Sequence, residues 1–556
     1  MRWPTLTLLA LLTACATTPP QPAPTYDIVI RNGSIYDGSG ADAVHGDVAV
    51  RGDRIAAVGN VTGRGKTEFD ARGMAIAPGF INIMSQAQET LIVDGRAMSD
   101  IKQGVTTEIF GEGESMGPLS TPMKEELRQY QGDIKYDVAW TTLSEYLQWL
   151  VNRGVSPNVG SFIGAATPRV NILGRANRAP TVVELEQMRA LVRQAMEEGA
   201  FGVASALIYA PGAYAATDEL VELSKATAPF GGMYISHMRS EGNRLLEAVD
   251  ELITIAREAH VPAQIYHLKA AGEKNWPKMD EVIARVNAAR AKGLDISADM
   301  YTYNAGATGL DAAMPTWVQE GGLEAWRKRL QDPAIRARVI REMRTPSDQW
   351  ENLLMLAGSP ERVLLVGFRS DKLKPLTGKT LGEVARMRGE SPEDTAIDLV
   401  IEDDSRIETI YFLMSEDNIR KQILQPWVTF GSDAGAPAAE GVFLKSHSHP
   451  RSYGNFVNLL GKYVRQEHVI PLAEAIRRMT FLAASDLHID HRGLLRPGYF
   501  ADVVVFDPQS VAARATYENP HQYAVGVSDV FVNGVQVLRN GEHTGTKPGR
   551  MVRRAR

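Results

Sequence analysis

The sequence predicts an α/β protein: a parallel, TIM-like (β/α)8 barrel with a small β-sandwich built from both ends of the chain. Three observations predict it. Short alternating strands with turn signals open the chain from Tyr26 and return only near residue 496 and beyond. Between them strand-like runs alternate with helical ones: GGMYISH precedes a helix over about Glu241–Ala259, VPAQIYH one over about Lys278–Lys292, and LDISADMY follows at once. The strand ends His237 and His267 lie 30 residues apart, the length of one βα repeat, which favours a parallel barrel over an antiparallel sheet.

At 556 residues with 44% hydrophobic side chains, the chain can fill such a barrel and an accessory domain, and a net charge of -6 offers no positive field for nucleic acid. Arg2 is followed by the apolar run Leu6–Leu12, too short to span a bilayer but long enough for a signal h-region. The only cysteine, Cys15, follows Leu12-Thr13-Ala14 and resembles the cysteine of a bacterial lipobox. Residues 1–15 therefore read as a lipoprotein signal with Cys15 as the lipidated residue, and residues 16–25 as a tether. Ala16 after the cysteine points to the outer membrane, facing the periplasm, by resemblance to lipoprotein sorting rules. Contact with the membrane is expected through that lipid alone.

The β elements carry hairpin signals at Asn32-Gly33, Gly52-Asp53 and Asn533-Gly534. Neither terminal segment can bury a face alone, so residues 26–76 and 496–545 are expected to form one sandwich beside a barrel over 77–495. Thr181 and Glu184 stand in capping-box spacing at the start of an amphipathic helix that runs to about Gly199. The charged stretch over about 316–423, with VLLVGF as its one clear strand, reads as an insertion over one barrel mouth. The basic end, 546–556, reads as a solvated tail.

Catalytic groups of a parallel barrel gather at the C-terminal ends of its strands. The polar residues that end apolar runs are Glu112 and Glu114 in TTEIFGEGE, His237, His267, Asp299, and Asp433 in VTFGSD. Two imidazoles with carboxylates suit a divalent first-row metal, zinc before others. Either histidine alone reads first as a satisfied core residue, and only their joint placement with Asp433 favours ligands. His447 and His449 offer a second pair at i, i+2, a weaker candidate because their loop contains Pro450. Arg239 and Lys269 each stand two residues past a histidine, a strand-like spacing that keeps them near the same cavity.

Several ordered motifs carry a family resemblance: APGFIN at Pro78, GVTTE before GEGESMGP, GAFGVASALIYAPGAYA, SHMRSEG, HLKAAG, GSDAG, and HPRSYGNF at His449. Together they resemble the N-acyl-D-amino-acid deacylase (D-aminoacylase) branch of the amidohydrolase superfamily, from Tyr26 to about Gly545. The resemblance implies a metal-dependent amidase with His237 and His267 as ligands. It implies Asp433 as the carboxylate that orients the activated water and serves as general base, and Lys269, Tyr303 and Arg451 as holders of the substrate carboxylate. Arg239 joins them as a candidate on its spacing.

Two departures narrow the site. Where the superfamily ends its first strand on His-x-His, this chain has PGFINIMSQ, with Asn82, Met84 and Gln86, and neither Met84 nor Gln86 is a good zinc ligand. Where many relatives place a cysteine ligand, this chain has Glu112, with Glu114 as the other candidate. One divalent metal on Glu112, His237 and His267 is the expected result, acting on a small carboxylate substrate. The alternatives are an inactive relative that keeps the fold as a binding protein, and a cyclic-amide hydrolase.

Overall fold

The computed structural model describes residues 25–555; the h-region, Cys15 and nearly all of the expected tether lie outside the described residues. Thr25, assigned above to the tether, opens the first strand, Thr25–Ile35. That strand pairs with Val44–Arg51, Arg64–Asp70 and Ala75–Pro78. From the other end of the chain, Val503–Phe506 adds antiparallel to Ala75–Pro78, joining both termini in one nine-stranded sheet. Alternation sends Ile30 and Val29, neighbours on one strand, to separate apolar clusters, with Val48, Ile76, Val503 and Phe531 around the first and Ala49 and Val61 around the second.

Two of the three hairpin signals are turns. Gly52-Asp53 links strands that pair as Arg51 with Arg54, and Asn533-Gly534 links strands that pair as Val532 with Val535. Asn32-Gly33 is not a hairpin: it lies inside the long first strand, where the register shifts between Ile30 and Gly33. Asn32 there adopts φ 61°, and Asp47 Oδ1 accepts its N–H at 2.9 Å. The left-handed preference of Asn-Gly is used for a bulge instead.

A six-stranded and a three-stranded parallel sheet form the centre. They meet where strand Asn158–Ser161 runs on into Ile163–Gly164 with only Phe162 between. The far ends also meet, through a parallel bridge between Ser85 and Ala434 and an N–H of Asp433 donated to Met84 O at 2.9 Å. The strands at 80–82, 105–110, 158–164, 202–206, 233–237, 263–265, 296–300 and 428–430 thus close into a barrel. Helices pack outside; Val182–Glu197 carries the expected Thr181/Glu184 capping box and buries Met188, Val192 and Met196.

Between the last two barrel strands lies a segment with its own apolar core, including Leu310, Val339, Leu365 and Tyr411. It holds two strands more than the sequence signalled, Gly306–Gly309 and Glu408–Tyr411, both antiparallel to neighbours in a three-stranded sheet with Val363–Gly367. The first is mostly Gly, Ala and Thr and has no apolar run to announce it. The basic end of the chain is no solvated tail: Gly549 and Val552 donate backbone hydrogen bonds to Val155 and Val159, and Val552 is buried with Ile81, Ile109, Phe162 and Phe201 at the barrel floor. Its arginines, set on both sides of Met551 and Val552, conceal that role.

Candidate metal centre

Glu112 follows strand Val105–Phe110, His237 ends strand Met233–His237, and His267 lies just past strand Ala263–Ile265. All three therefore project at the same end of the barrel. Glu112 Oε1 is 3.2 Å from His237 Nδ1 and 3.2 Å from His267 Nε2, and the two imidazoles stand edge to face with centroids 4.5 Å apart. Burial opposes a charge on Glu112, but hydrogen bonds from the two histidines and their charge hold its carboxyl well below the usual carboxylate range. His267 sits at φ 33°, fixed there by Asp299, whose Oδ1 accepts its N–H at 2.8 Å while Oδ2 accepts from Gln264. Asp299, expected among the strand-end carboxylates, thus holds a backbone turn, and burial pushes its carboxyl up to about 7.

Glu241 was not foreseen in the sequence. Its Oε1 lies 3.0 Å from His267 Nδ1 and accepts from Lys269 Nζ at 2.6 Å, while Oε2 lies 3.6 Å from His237 Nε2. His267 Nδ1 thus lies between Glu241 Oε1 at 3.0 Å and Lys269 Nζ at 2.6 Å, and these two groups fix the ring with Nε2 turned toward Glu112, where its lone pair can meet a cation. The available signal was the i, i+4 spacing His237–Glu241 in SHMRSEG. The sequence places Glu241 at the start of a helix, but that helix spans Leu245–Ala259 and leaves Glu241 in the loop beside His237.

Asp433 is set apart from the three donors and joined to them by Gln86, whose Nε2 donates to Glu112 Oε2 at 2.6 Å and lies 3.5 Å from Asp433 Oδ1. On its other side Asp433 Oδ2 is 2.8 Å from Arg451 Nη1. Arg451 is buried, stacks 4.4 Å over the Tyr301 ring, and with Nη1 engaged by Asp433 keeps Nε without a hydrogen-bond partner. These groups line a cavity of about 360 Å³, roofed by Thr308, Leu353, Arg406 and Leu413 of the inserted segment.

The remaining candidates are sorted by their contacts. Glu114 also lines the cavity but is half-exposed and paired with Arg175 at 2.9 Å, which leaves Glu112 as the donor. Arg239 is not a cavity residue: its guanidinium is consumed by Glu251 at 2.8 Å and by the carbonyls of Ala213 and Ala215. Tyr303 does not line the cavity, and its hydroxyl lies against Gly454, whereas Tyr301 does line it. The strand ends at Met300, so alternation no longer says which tyrosine turns inward. Lys269 lines the cavity with its ammonium engaged by Glu241. His449 accepts from Arg451 N and meets Ala305 O, its buried imidazole pushed well below its usual pKa; with His447 edge to face against His521, the two do not form a ligand pair.

Glu112, His237 and His267 each offer one donor atom, all within 4.8 Å of one another. Two imidazole nitrogens and one carboxylate oxygen, buried below an open cavity, fit a first-row divalent ion with a position left for substrate. An amidohydrolase family model matches residues 67–538. A D-aminoacylase of Alcaligenes xylosoxydans xylosoxydans is 32% identical over 95% of this chain and 98% of its own. A solved D-aminoacylase, described as having a binuclear centre with one-metal activation and second-metal attenuation, aligns over 95% of this chain and 100% of its own at 31% identity and TM-score 0.78. The N-acyl-D-glutamate deacylase of Bordetella bronchiseptica, solved with zinc and a phosphonate mimic of the tetrahedral intermediate, aligns over 95% and 100% at 28% identity and TM-score 0.79. With a family model and a full-length relative matching a barrel that carries these donors, the chain belongs to the amidohydrolase family and is a metal-dependent amidohydrolase.

Proposed function

We propose that this enzyme removes the acyl group from N-acyl-D-amino acids with one divalent ion, zinc, held by Glu112, His237 and His267. What carries the reading is the placement of Asp433 and Arg451, a base and a carboxylate receptor, in the same cavity as the three donors. The choice of D-configured substrates rests on the two kinds of deacylase that align over nearly the whole chain.

When bound, the ion polarises the scissile carbonyl and acidifies a water. Asp433 accepts the proton of the attacking water and delivers it to the leaving amine, its two oxygens oriented by Gln86 and Arg451. Arg451, with Nη1 paired to Asp433, Nε without a partner and its plane fixed on Tyr301, receives the substrate carboxylate through its remaining N–H groups. Lys269 adds positive charge beside it while orienting Glu241, and Glu241 orients the His267 imidazole and sets negative charge 3.6 Å from His237 Nε2. The inserted segment shields the site from bulk water.

Protein purified without added metal should carry one zinc per chain and hydrolyse N-acyl-D-amino acids but not their L enantiomers or cyclic imides. Metal-free protein with full activity, or activity on cyclic imides alone, overturns the reading. On sequence alone we also propose anchoring to the bacterial envelope through Cys15. Cys15→Ser should then abolish incorporation of a labelled fatty acid, and equal label on both proteins would refute it.

A further inference from the structure

Where relatives of the superfamily carry the second histidine of the first strand, this chain has Gln86, and the geometry gives it a definite task. We infer that the Gln86 carboxamide takes the place of a second cation, bridging Glu112 to Asp433 and excluding a second metal from the site.

Glu112 and Asp433 end the two strands that flank Phe80–Asn82, and two such carboxylates facing one cavity repel unless something positive or proton-bearing lies between them. Gln86 lies there: Nε2 donates to Glu112 Oε2 at 2.6 Å and reaches toward Asp433 Oδ1 at 3.5 Å. Carboxylates accept and do not donate, so the amide nitrogen, not its oxygen, must face this pair. The backbone holds the side chain in position, since Gln86 N donates to Ala434 O at 3.0 Å, next to Asp433.

The consequence for the donors is direct. Both imidazoles face Glu112 Oε1, while Gln86 occupies Oε2. Glu112 therefore offers the primary ion a single oxygen, and its second oxygen, the natural bridge to another ion, is blocked. Two residues earlier, Met84 is buried in the barrel interior and supplies no hard donor in its place. Gln86 thereby ties Glu112 to Asp433 through its one amide nitrogen.

This inference rests on the one-metal reading, and equilibrium dialysis against zinc followed by metal analysis tests the two separately. Wild type should stop at one equivalent per chain in a large excess of zinc. Gln86→His, which replaces the donor with a ligand, should bind a second equivalent at least about 100-fold more tightly than any second binding by wild type. Gln86→Met, near in shape but without the amide, covers the case of a misfolded histidine variant. It should also admit a second equivalent, on Glu112 and Asp433. Wild type with no zinc would defeat the one-metal reading itself. Wild type with two, or folded variants that both stop at one, would overturn the role of Gln86.

Discussion

The two ends of the barrel are built on opposite terms. At the floor, Val552 of the chain's last residues packs with Ile81, Phe162 and Phe201, and backbone hydrogen bonds to Val155 and Val159 pin the segment. Beside it Asn533, at φ 49°, a value asparagine tolerates, binds Arg492, Asn158 and the carbonyl of Pro548. At the mouth, buried atoms of His237 and Arg451 have no hydrogen-bond partner, and His267 and Asp433 are held at φ 33° and 48°. Such backbone costs about 1–3 kcal/mol per residue and persists only where the surroundings impose it. The floor contributes stability that the mouth uses to hold unpaired groups ready for metal and substrate. Substitutions at the mouth should therefore move activity and metal content, and those at the floor stability.

The largest effect is expected at the three donors. His237→Ala or His267→Ala should remove the metal and lower kcat by ~10⁴-fold or more, while the fold, which is supported from the floor, melts near its wild-type temperature. Asp433→Asn should keep one equivalent of metal and lose roughly 10²–10⁴-fold in kcat, because an amide cannot take a proton. A donor variant that keeps both metal and turnover would show that the mouth is not organised around these residues. Arg451→Ala comes next: losing a buried charge-assisted contact costs about 2–5 kcal/mol, roughly 30-fold to several thousand-fold in kcat/KM for free-acid substrates. Equal losses on the acid and on its neutral amide analogue would mean that Arg451 supports Asp433 rather than the substrate.

A pH dependence sharpens the contrast. Burial and Lys269 push the His267 imidazole down, but the Glu241 and Glu112 carboxylates outweigh them and raise it to about 10. A metal needs the neutral ring, so across neutral pH binding must expel that proton, and zinc affinity should rise about tenfold per pH unit. Without metal the sign reverses for folding. A pKa raised above the unfolded value of about 6.5 gives stability that is complete below that pH and lost as pH rises towards 10. Chelator competition and melting curves of metal-free protein from pH 6 to 10 would show both trends; flat curves would remove His267 from the site's electrostatics.

Much of this could be read in the sequence, for physical reasons. Barrel strands end in polar residues that cannot be accommodated in an apolar core, so Glu112, His237, His267 and Asp433 stood out, and the structure places them around one cavity. Residues defined by what they touch did not stand out. Glu241 and Gln86 act through partners distant in sequence, and Tyr301 and Tyr303 are sorted by a chain that has left its strand. Arg239 had the right spacing but is consumed by Glu251. Misreadings at the periphery share a cause: in Asn32-Gly33 and in the basic tail, a local preference was put to a use that only the tertiary partner decides.

The smallest expected effect lies at the floor, and it tests whether the two ends are separable. Val552 is 5% exposed among apolar neighbours, whereas Arg553 beside it is exposed. Val552→Ala removes two methyl groups from a packed site, worth about 1–3 kcal/mol once the cavity is counted. In a chain this long that lowers Tm by only a few degrees. Arg553→Ala should stay within about 0.5 kcal/mol of wild type, as surface substitutions do. Neither should alter metal content, kcat or the KM for a free acid, because the segment lies at the opposite end of the strands from Glu112 and Asp433. If Val552→Ala instead lowered kcat at a temperature where the protein stays folded, the plug would be coupled to the mouth through the barrel strands, and the division between the two ends would fail.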